Sequence, residues 1–301
     1  MKVSAQPIAA AAPAEKSRVA VWCELIKARL TLLVLITTLV GFYVGAHGAL
    51  DWVMMFHTLA ATALVACGAA ALNQLVERQH DAKMLRTESR PLPSGRLRPD
   101  TVLVFGGLAS IAGLIYLALA VNLLTSLLGA ITLATYVFVY TPLKRITWLN
   151  TAVGAIPGAL PPLMGWTAAT NNLTGAGWCL FAILFFWQIP HFLAIAWIYR
   201  DEYAKAGFVM LPNVDPAGER TAHQAVSHTL GLLLVSLCPV LFQLTGAIYL
   251  LGALLLGFLF LAAAIGFARQ MSAPRARQLF FASIIYLPLL LGLMVLDKIK
   301  Y

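Results

Sequence analysis

The chain has 301 residues, 60% of them hydrophobic and only 11% charged, with a formal net charge of +9 and a mean hydropathy of +0.83. A soluble protein carries about a quarter charged residues, and a soluble core does not use apolar runs that recur from one end of the chain to the other. The composition excludes an ordinary soluble domain and fits an all-α, polytopic membrane protein.

The first segment, MKVSAQPIAAAAPAEKSRVA, is rich in Ala and Pro and too polar near its end for the apolar core of a signal peptide. Residues 1–28 are expected to form a disordered cytoplasmic tail, and residues 29–301 a single transmembrane domain. Windows of roughly 20 residues predict a bundle of about nine transmembrane helices, near 30–48, 53–76, 101–121, 123–141, 149–169, 174–196, 223–243, 246–268 and 278–297. Val121-Asn122-Leu123 is almost the whole turn between the third and fourth. Pro157, Pro161, Pro162, Pro190 and Pro288 fall inside spans, which excludes strands and implies kinked helices.

Lys and Arg cluster before span 1 and in the loops that follow the even-numbered spans, and the loops after spans 1, 3, 5 and 7 contain none. The positive-inside rule therefore makes the N-terminus and the basic loops cytoplasmic. Nine spans put the C-terminus outside, where Lys298 and Lys300 run against the rule. The positive charge is mostly topology, and no nucleic-acid partner is expected. Cys23, Cys67, Cys179 and Cys238 are scattered, with no pair at metal or redox spacing.

The stretch NQLVERQHDAKMLRTESRPLPSGR, residues 73–96, closes the second span. Asn73, Glu77 and Asp81 recur every fourth residue, which at ~100° per residue stacks them along one helix face, with His80 and Met84 on the same stripe. An amide and two carboxylates are hard oxygen donors of the kind magnesium uses when substrate phosphates complete its shell. Arg86, Arg90, Arg96 and Arg98 follow, and Arg suits bidentate phosphate contacts. Pro91-Leu92-Pro93-Ser94-Gly95 predicts a fixed turn. A basic topology loop would account for the arginines singly, but it needs no acidic stripe at the membrane surface.

Two further polar segments lie on the same face. YTPLKRITWLN, residues 140–150, places Lys144 and Arg145 in a turn after Pro142, able to point back toward the other loops. HFLAIAWIYRDEYAKAG, residues 191–207, carries His191 inside the apolar run and Asp201 and Glu202 at its end. Acids at a helix C-terminus oppose the helix dipole, so a cation or a neighbouring Arg is expected there. A lone His after Pro190 is more often a packing residue than a ligand. Acids, cations and apolar helices together suit a substrate with a diphosphate head and a hydrocarbon tail. A cation-coupled transporter is the alternative, but its acids would line a path near mid-bilayer.

These motifs resemble those of the UbiA-type intramembrane prenyltransferases along essentially the whole chain. The family's Asn-x-x-x-Asp-x-x-x-Asp is matched by Asn73, Glu77 and Asp81, and its Arg-x-x-x-Arg-Pro-Leu-x-x-Gly by Arg86, Arg90, Pro91, Leu92 and Gly95. Glu77, Met84, YTPLKR and WQIPHFLAIAWIYRDEYAKAG are similar to the heme-modifying branch. Where the wider family has Asp residues in its second motif, this chain has His191, Ile198 and Glu202, so a second carboxylate pair is complete only if Asp201 substitutes.

The resemblance implies transfer of a farnesyl group from farnesyl diphosphate to a vinyl group of heme B, with addition of water to give heme O. Heme B is then a substrate, and Mg2+ the cofactor for the diphosphate. It implies Asn73, Glu77, Asp81 and Glu202 as catalytic residues, metal contacts from these and Asp201, and diphosphate contacts from Arg86, Arg90, Lys144 and Arg145. His191, with His80 as its rival, would serve the heme. The expected location is a bacterial inner membrane, among lipid, with a heme A synthase or a terminal oxidase downstream. A quinone precursor is the alternative acceptor.

Overall fold

The computed structural model describes residues 16–299, so most of the N-terminal tail, residues 1–15, lies outside the described region. In chain order the helices are α1 (Arg18–Leu25), α2 (Ala28–Gly45), α3 (Trp52–Asp81), α4 (Pro99–Ala120) and α5 (Leu123–Ala134). A π-helical turn (Thr135–Tyr140) and α6 (Thr141–Leu143) continue α5. Then come α7 (Asn150–Thr170), α8 (Gly175–Ile198), α9 (Arg200–Lys205), α10 (Leu211–Val214), α11 (Glu219–Val235), α12 (Cys238–Leu241), α13 (Ala247–Arg269) and α14 (Ala273–Leu296). No named strand occurs among the described residues. One isolated bridge pairs Thr245 with Lys298.

Among the described residues eight helical segments are long and apolar enough to cross a membrane, and α7 is a ninth long helix, in place but outside that set. Most of α7 is buried against protein, including Pro157, Pro161 and Pro162, so it does not need a lipid-matched surface. It packs against α2, α5 and α8, while α8 also meets α11 and α14, and α14 returns to α2. The α2–α7 seam depends on glycine. A Cβ at Gly165 would lie 1.9 Å from the Thr38 carbonyl oxygen, and one at Gly41 would lie 2.0 Å from that of Pro162.

Residues 18–25 form a helix where the sequence pattern predicts disordered tail. Ser17 caps its start, accepting from Ala20 N–H at 3.3 Å. At its end the buried Gln74 amide donates to the Glu24 and Leu25 carbonyls, at 2.9 and 2.7 Å. Leu25 packs with Ala71, Leu92 and Val102, so α1 is fastened across the α3–α4 end of the bundle. The break between α1 and α2 falls at Lys27, whose φ of 49° is left-handed.

At the opposite end, the charge that runs against the topology rule has a structural use. Lys298 Nζ donates to the carbonyls of Tyr43 and Ala46, both at 2.6 Å, satisfying groups that the end of α2 leaves open. Asp297 accepts from Tyr249 N–H at 2.7 Å at the start of α13.

The α2–α7 contact yields a stability prediction. Gly165→Val sets a branched side chain against an immobile carbonyl, and overpacking of this kind costs about 1–3 kcal/mol or more. The melting temperature in detergent should fall clearly. Gly107→Ala, where nothing lies within 4 Å of the new Cβ, should leave it unchanged or raise it.

Candidate active site

The last turns of α3 carry Asn73, Glu77 and Asp81 into the protein, not into solvent: they are 0%, 5% and 1% exposed. Burying carboxylates is costly unless each is paired, and three segments supply the partners. Lys27, at the α1–α2 break, donates to Asn73 Oδ1 at 2.7 Å. Lys144, after α6, pairs with Glu77 Oε1 at 2.6 Å. Arg90, in the loop after α3, pairs with Asp81 Oδ2 at 2.7 Å. Each member of the stripe thus holds one cationic side chain.

The π turn is what brings Lys144 and two tyrosines to this place. Pro142 cannot donate to the carbonyl four residues before it, and Thr141 N–H and its hydroxyl instead reach Tyr136 O, five residues back. Thr141 Oγ1 also accepts from Asn73 Nδ2 at 3.0 Å. Tyr136 and Tyr140 stack 5.7 Å apart. Tyr136 OH accepts from Lys27 at 3.3 Å, and Lys144 Nζ sits 4.5 Å from the Tyr140 ring centre.

Both lysines lie outside the membrane-spanning helices, and their surroundings pull them apart. Burial holds the Lys27 ammonium down to about 7; Arg90 and Lys144 push the same way and Glu77 opposes them. Burial also acts against the Lys144 ammonium, but Glu77 and Tyr140 outweigh it and carry it well above the usual lysine value. At the rim, Glu24 lies below the usual carboxylate range: slight burial works against this, but Lys16 and Arg96 bind it.

The loop after α3 and the segment after α8 close over the stripe. Thr87 Oγ1 donates to the Asp81 carbonyl at 2.8 Å, and Gly95 makes the Pro-Leu-Pro-Ser-Gly turn with a φ of 72°. Arg86 N–H donates to Glu202 Oε2 at 3.3 Å, and its guanidinium donates to Tyr203 OH at 3.0 Å while lying over the Tyr199 and Tyr203 rings. Met84 packs with Tyr203, Phe208 and Met210. Val209 N–H donates to the Lys144 carbonyl at 2.7 Å, which ties this segment to the lysine loop.

The predicted residues therefore divide. Asn73, Glu77, Asp81, Arg90 and Lys144 are brought together, and Arg86 and Glu202 meet at the rim. Asp201 is not part of either group: its side chain is 89% exposed, with only Arg200 nearby at 3.8 Å. Its place just past the end of α8 turns it outward, so it does not complete a second carboxylate pair. Arg145 is exposed, and His80 stacks on Phe208 at 5.5 Å. Arg96 joins the loop to α1 through Glu24 at 3.0 Å.

His191 lies elsewhere, on the seam between α8 and α14. Its ring stacks between Trp187 at 4.9 Å and Phe280 at 5.1 Å, and its Nδ1 meets Ser283 Oγ at 2.7 Å. The Ser283 hydroxyl has one proton and can donate it to the Phe280 carbonyl at 2.5 Å. With that proton on the Phe280 carbonyl, Ser283 accepts from His191 Nδ1–H and the ring lone pair is on Nε2; with it turned to the imidazole, the roles reverse.

Among the described residues no three His, Cys, Asp or Glu side chains come together as a metal cage. The stripe still fits a divalent ion delivered with phosphates. Its three oxygens already hold cationic nitrogens at 2.6–2.7 Å, and magnesium sites commonly use one or two carboxylates plus substrate oxygens. Sequence reasoning missed Lys27, Tyr136 and Ser283. The one available signal for Lys27 was its place on the basic end of the bundle, just before the first apolar run.

Residues 34–285 match the model of the UbiA prenyltransferase family. A protoheme IX farnesyltransferase of Solibacter usitatus (strain Ellin6076) is 49% identical over 92% of this chain and 98% of its own length. One of Koribacter versatilis (strain Ellin345) is 42% identical over 97% and 98%. Among solved structures, a digeranylgeranylglyceryl phosphate synthase has a TM-score of 0.79 at 16% identity, covering 93% of this chain and 98% of that one. A UbiA homolog of Archaeoglobus fulgidus bound to GPP and Mg2+ has a TM-score of 0.64 at 16% identity, covering 91% and 99%. With a family model that matches most of its length and relatives this similar from end to end, the chain is an integral membrane protein that belongs to the UbiA prenyltransferase family.

Proposed function

We propose that this chain transfers the farnesyl group of farnesyl diphosphate to a vinyl carbon of heme B, releasing diphosphate, with water completing the heme O side chain. The observation that carries the donor half is the buried Asn73–Glu77–Asp81 stripe ringed by Lys27, Lys144 and Arg90. The acceptor half rests on the relatives, whose names specify protoheme IX and farnesyl transfer. The reaction sits on the basic, cytoplasmic side of a bacterial inner membrane, within a single transmembrane domain.

The chemistry follows from what these groups can do. Asn73, Glu77 and Asp81 would hold the metal, which would supply positive charge for the leaving diphosphate. Arg86, Arg90 and Lys144 bind the phosphate oxygens and stabilise the charge that grows as the allylic C–O bond breaks. Tyr136, Tyr140 and Phe208 wall the stripe with aromatic faces, which shield an allylic cation from water. The vinyl carbon of heme B attacks that cation, and water adds to the resulting porphyrin-stabilised cation with loss of one proton. Glu202 positions Arg86 through the backbone. His191, in the tautomer whose Nδ1–H donates to Ser283, would present its Nε2 lone pair to heme iron.

Three tests follow. Asp81→Asn should lower heme O formation by about 10²-fold or more while the protein inserts and accumulates, and Glu77→Gln should show a large loss. Heme extracted from expressing membranes and resolved by mass spectrometry reads both. A quinone product from the unaltered chain, with no heme O, contradicts the acceptor. Arg86→Ala and Arg90→Ala should raise the KM for farnesyl diphosphate or lower kcat, and the exposed Arg98→Ala should do neither; equal effects would mean that the loop acts only as a bulk positive field. His191→Ala should weaken heme retention and change the heme absorption spectrum of the purified protein, with affinity for farnesyl diphosphate little altered. An unchanged spectrum and unchanged activity would return His191 to a packing role.

A further inference from the structure

The three cations around the stripe are not equivalent. Lys144 and Arg90 neutralise carboxylates, Glu77 and Asp81. Lys27 binds a neutral amide oxygen, Asn73 Oδ1, and a phenol, Tyr136 OH. It therefore places a third basic side chain at a stripe that has only two carboxylates. It interacts electrostatically with both acids, and also with Arg90 and Lys144. Protonated, it leaves the closed site short of negative charge, and in either form the Lys27 amino group occupies Asn73 Oδ1, an oxygen that a divalent ion would otherwise use.

We infer that Lys27 is an exchangeable diphosphate-binding residue that bars the metal from entering alone: it leaves Asn73 Oδ1 for a phosphate oxygen when metal and prenyl diphosphate arrive together. This rests on the donor half of the proposed function. A diphosphate brings the negative charge that three cationic side chains and a divalent ion need between them. Lys144 and Arg90 can turn from the carboxylates to the phosphates in the same event, because the metal takes their place at Glu77 and Asp81. The backbone suits the exchange. Lys27 sits at the break between α1 and α2, in a left-handed conformation, and it reaches the stripe from outside the α2 helix. Metal and diphosphate should then bind with positive, reciprocal coupling.

The test is metal binding, read apart from turnover. Purified protein in detergent is titrated with Mn2+ by electron paramagnetic resonance, with and without farnesyl S-thiolodiphosphate, which is inert to transfer. In the unaltered chain the analogue should tighten Mn2+ binding by about tenfold or more. Lys27→Met leaves no carboxylate unpaired, so the fold should persist. It should bind Mn2+ alone about tenfold more tightly, and both the coupling and the analogue affinity should fall. Lys27→Arg, which keeps the charge, should retain weak binding of the metal alone.

Unchanged Mn2+ affinity and coupling in Lys27→Met would overturn the inference, as would tight binding of metal alone by the unaltered chain. Asp81→Asn separates this from the reading beneath it. If that variant loses Mn2+ and analogue together, the donor site stands whatever Lys27 does. If the unaltered chain binds no analogue at all, the donor site itself fails and the inference with it.

Discussion

Two carboxylates one helical turn apart, both buried, are the constraint around which this protein is arranged. Each would be strongly destabilising alone: removing the partner of a buried ion pair costs about 3–5 kcal/mol. Glu77 and Asp81 sit on the same face of α3, and the cations that pair with them come from outside that helix. Lys144 arrives on the turn after the π segment, and Arg90 on the loop that folds back beneath α3. The acids therefore dictate where two loops go. The segment after α8 is then fixed by those loops, through Val209 on the Lys144 carbonyl and Glu202 on the Arg86 amide.

That arrangement also places the chemistry at the junction of two environments. On one side are the basic loops, where a diphosphate head is soluble. On the other are helices whose outer surfaces carry large exposed apolar side chains, such as Leu103, Leu119, Leu251 and Phe258, which only a bilayer covers comfortably. A substrate with a charged head and a long hydrocarbon tail belongs at that junction. His191, the residue proposed to serve the acceptor, is on a different seam, stacked between Trp187 and Phe280. The proposed donor and acceptor residues thus belong to separate parts of the bundle, the first around α3 and the second between α8 and α14.

Much of this was legible in the sequence, for physical reasons that differ by element. Apolar runs mark helices in lipid strongly, so the long helices fell close to the predicted spans; α7 is the weakest by hydropathy because protein, not lipid, covers it. The four-residue spacing of Asn73, Glu77 and Asp81 fixes a common helix face, and the structure keeps it. Tertiary partners are another matter. Nothing local distinguishes Lys27 from a topology residue, because its role comes from α1 folding across α3, and α1 itself is held by Gln74 and by packing of Leu25. Asp201 and Glu202 are neighbours in sequence, yet one points to water and the other to the Arg86 amide, and sequence alone gives no sign of which. The seam position of His191 depends in the same way on Ser283, nearly a hundred residues later.

The central claim is that the acid stripe exchanges its internal cations for a metal and the metal's diphosphate. The most direct measurement is an anomalous-scattering crystal structure of the protein with Mn2+ and farnesyl S-thiolodiphosphate. The account predicts a manganese peak among Asn73, Glu77 and Asp81, with Lys27, Lys144 and Arg90 turned onto the phosphate oxygens. A peak at any other place, or phosphate density away from these three cations while they remain on the stripe, would contradict it.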